Sequence, residues 1–452
     1  MNLRPKRSYA ILFVVLASIL ALSSYFFVSR PTQAETALPP DKTTPAGKLI
    51  ADATTGLPAV APLTMNFVRS PDTDGPGGKG RYLIAVNSGY GLEFNSKSKP
   101  QQSLSVIDLA AAEPKVVQNI YFPAPQSANF GLAFDPKLQS DGKYRMYVSG
   151  GFENKIWILG FDAKAALPVS PQTKPDETVK APAIDIAAFA ENAPSSNYND
   201  NTAAVYPTGI ALSPDGETVY SANNLGDTLG VVSDLRDSRK LTRISLRRPG
   251  SEQFVYPYDV ETVTNGKRVS KIYVSLWGDG SIASVNPAAQ NRVTHIAVGR
   301  HPTAMLLNKA QTRLLVVNSN ADTVSVIDTA ADRLIETINV RLAESEQIGA
   351  SPEGLALSDD EKTLFVANAH ANAVAVVGLT ANPTANNRSK LLGFIPTGKY
   401  ASAVAVVGSH IFIANGKGTG MDNSSVKVNE SGFYPNMPNK DFPGDTYNKR
   451  GN

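Results

Sequence analysis

Four histidines, three spaced aspartates and one Gly-Lys-Gly stretch are the residues of this chain that could do chemistry. His295, His301, His370 and His410 could bind a metal or carry a proton. No H-x-H or H-E-x-x-H spacing links them, so zinc ligation finds no pattern, and structural roles are the better reading. Asp322, Asp328 and Asp332 are spaced a little like calcium ligands, but the glycine of an EF-hand loop is missing and Asp328 ends a strand-like run. Gly416-Lys-Gly-Thr-Gly420 has the composition of a phosphate loop. Such a loop needs a helix after it to hold the anion on its first amides, and no helical periodicity follows Gly420. Cysteine is absent, which removes disulfides, thiolate nucleophiles and thiolate-held metals. No catalytic set, metal site or cofactor is expected from these residues.

The elements that would carry any site are set by size and composition. A chain of 452 residues with 42% hydrophobic and 18% charged residues can bury a large core. Gly 34 and Pro 31 suit a chain with many tight turns. Arg4, Lys6 and Arg7 precede an apolar run from Tyr9 to Val28, with Ala34 offering a cleavage point. Residues 1–34 therefore read as a secretory signal peptide or an uncleaved membrane anchor, and either one exports the body. Localisation is expected to be extracytoplasmic: periplasm, cell surface or secreted. Residues 35–55 read as a linker rich in Pro, Thr, Ala and Lys. The first 34 residues hold four cations and no acid, so without them the formal charge falls from +3 to −1. A near-neutral body has no footprint for nucleic acid. The one basic cluster, Arg243, Arg247 and Arg248 with Lys240, reads as a solvated loop face.

Internal repetition points to the fold. From Tyr206 the chain reads Tyr-Pro-Thr-Gly-Ile-Ala-Leu-Ser-Pro-Asp-Gly, then Thr-Val-Tyr-Ser-Ala-Asn, then a third run from Thr228. The order recurs from His301 and from Ser351. The opening prolines Pro207, Pro257, Pro302 and Pro352 lie 50, 45 and 50 residues apart. A weaker copy has Ala401 in the proline position and Ile411–Asn415 as its second run. Two earlier copies, through Asn129–Leu159 and Thr64–Asp108, are stretched by insertions. Seven copies of three or four short β-type runs, with hairpin dipeptides such as Asp215-Gly216 and Asn265-Gly266, predict an all-β, seven-bladed β-propeller over residues 56–420. The last copy lacks its outer strands. Either a strand near Leu49–Ala53 completes it, or residues 421–452, a polar tail, are a truncated continuation.

The runs Ser221-Ala-Asn223, Val366-Ala-Asn368, Ile413-Ala-Asn415 and Val324-Ser-Val-Ile-Asp328 resemble the YVTN-repeat family, over roughly Leu63 to Gly420. The resemblance implies WD40-like propeller architecture and no particular function. Ile413-Ala-Asn-Gly-Lys-Gly418 is also similar to a stretch late in propellers fused to a phosphoesterase of the alkaline phosphatase superfamily. That likeness implies a catalytic domain downstream of the propeller.

On a repeated scaffold, function is sought where equivalent positions differ. The residue after each opening proline should stand at the mouth of the central channel. In order this ring is Met65, Phe130, Thr208, Tyr258, Thr303, Glu353 and Ser402, a mixture able to hold a small polar or sugar-like ligand, or merely to line a water-filled channel. The recurrent Asn87, Asn223, Asn318, Asn368 and Asn415 read as turn residues bonding local backbone in left-handed geometry. Two insertions, Gly89–Gln102 and Ala163–Val205, read as partner-binding loops. The expected function is an exported, non-catalytic binding or scaffolding module for a protein or surface glycan. The alternative is the propeller portion of a secreted phosphoesterase. Membrane contact would come only through the first 34 residues.

Overall fold

Strands buried on both faces need apolar residues at every position rather than at alternate ones, and the second strands of this chain have that character. Leu314, Leu315, Val316 and Val317 are all buried, whereas the last strand of an earlier sheet, Lys240–Ser245, is largely exposed or half-buried. The computed structural model describes residues 49–54, 63–88, 102–187, 205–342 and 348–416. Residues 1–34, read above as a signal peptide or anchor, most of the linker, the first insertion apart from its final Gln102, residues 188–204 of the second insertion, the glycine stretch after Gly416 and the polar tail lie outside the described residues.

Among the described residues the strands form seven sheets. Sheets three to six are four-stranded antiparallel meanders over Pro207–Ser245, Pro257–Ala297, Pro302–Asn339 and Pro352–Pro396. The first two sheets have five strands, over Ala51–Tyr121 and Leu132–Asp185. The first strands of successive sheets lie beside one another, and Ala401–Val407 of the last sheet meets Thr64–Arg69 of the first. The fold is a β-propeller. The repeat count overstates its full blades, however. Six sheets are full blades, and the seventh copy forms only the hairpin Ala401–Val407 and His410–Asn415 among the described residues. Ala51–Asp52 does not complete this hairpin. It pairs in parallel with Lys115 and Val116 on the outer strand of the first sheet.

The core sits between sheets rather than within them. Ile84, Val86 and Leu104 of the first sheet meet Leu132, Met146 and Leu159 of the second. Similar clusters join each later neighbour, through to Val407 and Phe412 of the hairpin against Leu83 and Ile107 of the first sheet. The hairpin is thus gripped on both sides. Part of the second insertion is structural. Val169–Ser170 and Ala183–Asp185 both pair with Lys155–Phe161. Gln118 of the first sheet donates to Val169 O at 2.7 Å and accepts from Val169 N at 2.8 Å, binding that insertion across the joint.

A repeated latch links blade to blade. The residue before each opening proline, or before Ala401, has a left-handed backbone: Tyr206 (φ 52°), Tyr256 (47°), His301 (52°), Ser351 (49°) and Tyr400 (64°). Each such non-glycine residue costs about 1 kcal/mol. Hydrogen bonds from the preceding blade offset the cost. Asn154 Oδ1 accepts from Val205 N and Tyr206 N, both at 2.9 Å. Asp227 Oδ1 accepts from Val255 N at 2.8 Å and Tyr256 N at 3.0 Å. Asp322 Oδ1 holds Ala350 N and Ser351 N at 3.0 Å, and Asn372 Oδ1 holds Tyr400 N at 2.8 Å. These latch residues are themselves left-handed, between 49° and 57°. The recurrent strand-end asparagines do something other than turn formation. They stay extended, and Asn87, Asn223 and Asn318 donate Nδ2 across to Ser103, Thr228 and Thr323 of the third strand at 3.0–3.1 Å.

Asp227 also pairs with Arg247 through two hydrogen bonds, at 2.9 and 2.6 Å. Asp227→Ala should therefore lower unfolding stability by about 2–4 kcal/mol, since it leaves two amides and a guanidinium without their acceptor. Asp227→Asn should cost markedly less, because Asn154 and Asn372 do the same work elsewhere in the ring. Urea titration of both variants checks the order; equal losses would count against the latch.

Candidate functional site at the channel mouth

The seven ring positions occur at equivalent places, but their side chains divide by length. Thr208 is buried and its hydroxyl donates to Ala222 O at 3.1 Å and Pro257 O at 3.3 Å. Thr303 shares a 3.0 Å hydrogen bond with Ser319 Oγ, and Ser402 reaches Ala414 O at 3.5 Å. These short hydroxyl side chains fold back onto their own blade, Thr208 reaching the next blade as well, where buried donors find an acceptor. The structure does not bring these three to a ligand site. Register shifts fall at this point of the inner strands, such as Pro207/Ile210 and Pro302/Met305, so strand alternation alone does not say which way each residue faces.

The longer side chains extend over the axis. Phe130 of the second blade and Tyr258 of the fourth meet with ring centroids 5.0 Å apart, passing the third blade between them. Ala304, Val317, Met65 and Leu355 pack around them. An apolar cluster drawn from several blades thus gathers around these two rings. Glu353 stands beside it, with Ser351 Oγ donating to its Oε1 at 2.9 Å. Burial pushes the Glu353 carboxyl up to about 7. Burial also drives the Tyr258 phenol well above its ordinary range, helped by Glu353 and Asp259, with Tyr400 and Tyr206 near enough to add to it. The Tyr258 hydroxyl and Glu353 Oε2 have no hydrogen-bond partner among the described residues.

Two acids here escaped the sequence reading. Asp259 follows Tyr258, at a position where four other blades carry Gly131, Gly209, Ala304 and Gly354 because neighbouring inner strands approach closely. A Cβ on Gly209 would lie 2.5 Å from the Asp259 Cα. The Asp259 carboxylate accepts from Val260 N and, across the joint, Met305 N, each at 2.8 Å. Burial nevertheless raises its carboxyl to about 7. Two residues on, Glu261 is raised well above the carboxylate range, first by burial and then by Asp259. The signal was present: an acid stands where four other blades carry glycine or alanine, and only Asn66 of the first blade departs from that pattern as well. Among the described residues no group of three His, Cys, Asp or Glu side chains is placed to hold a metal.

The other candidates have structural occupations. His295 Nε2 lies 2.9 Å from Leu246 O. His301 stacks on Trp277 at 3.8 Å, and burial lowers its pKa. His370 meets the Tyr400 ring edge-on, while His410 opens the last strand. Asp328 caps a turn through Ala330 N and Ala331 N, and Asp332 receives the ammonium of Lys271 at 2.7 Å. Of the basic cluster, Arg247 and Arg248 line an outer pocket between the third and fourth blades and are paired with Asp227 and Asp279, while Arg243 donates to Ile186 O and Lys240 pairs with Asp234.

No protein-family model matches the chain, and no curated protein matches it. Among solved structures, the β-propeller domain of Cps50 (Swd1) from Myceliophteria thermophila aligns with a TM-score of 0.51 and 9% identity, over 79% of this chain and 94% of that one. This likeness agrees with the fold. Virginiamycin B lyase from Staphylococcus aureus is similar over 78% of this chain and 91% of its own, with 14% identity and a TM-score of 0.48. A periplasmic gluconolactonase from Pseudomonas aeruginosa follows at 14% identity and 0.49, over 80% and 93%. Among the described residues no helix is long and apolar enough to cross a membrane.

The raised carboxyl gives a pH signature. Glu353 titrates near 4.5 when unfolded and about 7 when folded. Between those values the folded state binds more protons, so stability falls as pH rises through the window and levels off above it. Glu353→Gln should remove this contribution, at most about 3 kcal/mol, and melt higher than the parent at pH 8. Thermal denaturation from pH 4 to pH 8 checks it; parallel profiles for parent and variant would refute the assignment.

Proposed function

We propose that the protein is an exported, non-catalytic binding module that holds a sugar-like ligand, such as the end of a surface glycan, at the mouth of its propeller. The observation that supports this reading most is the meeting of Phe130 and Tyr258 over the axis beside Glu353. Aromatic rings cover the apolar C–H face of a sugar, while a phenol and a carboxyl oxygen without protein partners can bond its hydroxyls. Export is supported by Arg4, Lys6 and Arg7 ahead of the apolar run 9–28. The hairpin between the sixth and first blades is read as an incomplete seventh blade.

A second reading makes the chain the propeller portion of a secreted phosphoesterase. It is supported by Ile413-Ala-Asn-Gly-Lys-Gly418, and there the same mouth would dock or gate substrate for a separate domain.

Binding to immobilised glycans, followed by calorimetric titration with the best of them, tests the first reading. Tyr258→Ala and Glu353→Gln should each weaken binding at least tenfold, while the exposed Arg333→Ala leaves it unchanged. Retention of full affinity by both mouth variants would move the site elsewhere. Failure of the parent protein to bind any glycan would overturn the ligand class.

A further inference from the structure

Among the described residues every sheet but one continues past its second strand. In the hairpin, His410–Asn415 pairs with Ala401–Val407 on one side and with nothing among the described residues on the other. An open strand edge is a template for another strand. Its flanks are ready for one, because Phe412 is buried and Ile411 and Ile413 are half-buried against neighbouring blades.

Two observations indicate which strand fits. The first is Asn415. Its counterparts Asn87, Asn223 and Asn318 each donate to a hydroxyl on the first residue of the third strand, namely Ser103, Thr228 and Thr323. Asn415 holds the same position yet its Nδ2 donates to nothing among the described residues; its buried, unpartnered Oδ1 is shared with Asn318 and Asn368 of complete blades, so the idle donor is what sets it apart. The second is the pattern of those third strands: a hydroxyl residue, then branched apolar residues at the second and fourth places. Examples are Ser103-Leu-Ser-Val106, Thr228-Leu-Gly-Val231 and Thr323-Val-Ser-Val326. Downstream of Asn415 the chain reads Ser425-Val-Lys-Val-Asn429. The third strand begins five residues after the asparagine in the third, fifth and sixth blades and sixteen after it in the first. Ser425 comes ten after Asn415, within that range.

We infer that residues 425–429 dock on the open edge as an antiparallel third strand, with Ser425 opposite Asn415. The occupant is this chain's own segment, and the inference stands apart from the ligand reading. Register then places Ile413 opposite Lys427. Because the chain has no cysteine, Ile413→Cys combined with Lys427→Cys introduces only one pair of thiols. Mild oxidation of the full chain should give an intramolecular disulfide in the monomer, and Ile413→Cys with Asn439→Cys should not. A disulfide between chains would assign the edge to a second copy, and no disulfide would leave the segment undocked; both overturn the inference. Should the cysteine pair disturb folding, hydrogen exchange provides an independent readout. The outward amides of His410–Asn415 should exchange at least tenfold faster in Val426→Lys/Val428→Lys than in the parent. Equal rates would overturn the inference.

Discussion

The latch between consecutive blades is the constraint on which the rest of the ring depends. A left-handed residue turns the chain sharply into the inner strands of the third to sixth blades and of the hairpin, and for a side-chain-bearing residue that turn is unfavourable unless something holds it. Asn154, Asp227, Asp322 and Asn372 hold it from the preceding blade, each from a tight turn between its second and third strands. The bond therefore does two things at once: it sets the entry angle of the next inner strand and fixes that strand to its predecessor. With the entry set, apolar faces of adjacent sheets meet, and burial between them supplies most of the stabilisation.

Where the latch is missing, the substitute is informative. In the fourth blade the corresponding turn carries Gly280, which has no side chain to offer. Trp277 lies instead against His301 with the planes 13° apart, and Tyr256 and Phe254 continue the aromatic contact along the rim. The same blade contributes Tyr258 and Asp259 to the axis. Two departures from the repeat thus fall in the fourth blade, which gives Tyr258 to the candidate site, while Phe130 and Glu353 come from the second and sixth blades. A repeated scaffold stays regular where it must stack, and tolerates exceptions where stacking is satisfied by other means.

The blade repeats were legible because each copy reuses the same turn residues and the same β-type runs at a period of 45–50 residues. The extent of the last copy was less so. Its two strands are clear in the sequence, but whether outer strands pair with them depends on contacts between distant segments. Leu49–Ala53 illustrates the point: it lies near the hairpin in ring order, yet Ala51–Asp52 pairs with the outer strand of the first sheet. The ring of mouth residues was legible as a set of positions, and half of its chemistry was not. Thr208, Thr303 and Ser402 look available to a ligand until their hydroxyls are seen to turn back to Ala222, Ser319 and Ala414.

The sequence by itself determined the repeat, the strands within it and the points where one copy differs from another, because these follow from local turn chemistry and the order of apolar residues. Tertiary structure alone decided which of those differences meet. Phe130 and Tyr258 are separated by more than a hundred residues, and only closure of the ring brings them together across the axis. The shifted carboxyls of Asp259, Glu261 and Glu353 have the same origin. Their environment is made chiefly by burial between blades that exclude water, with Asp259 adding to the rise of Glu261.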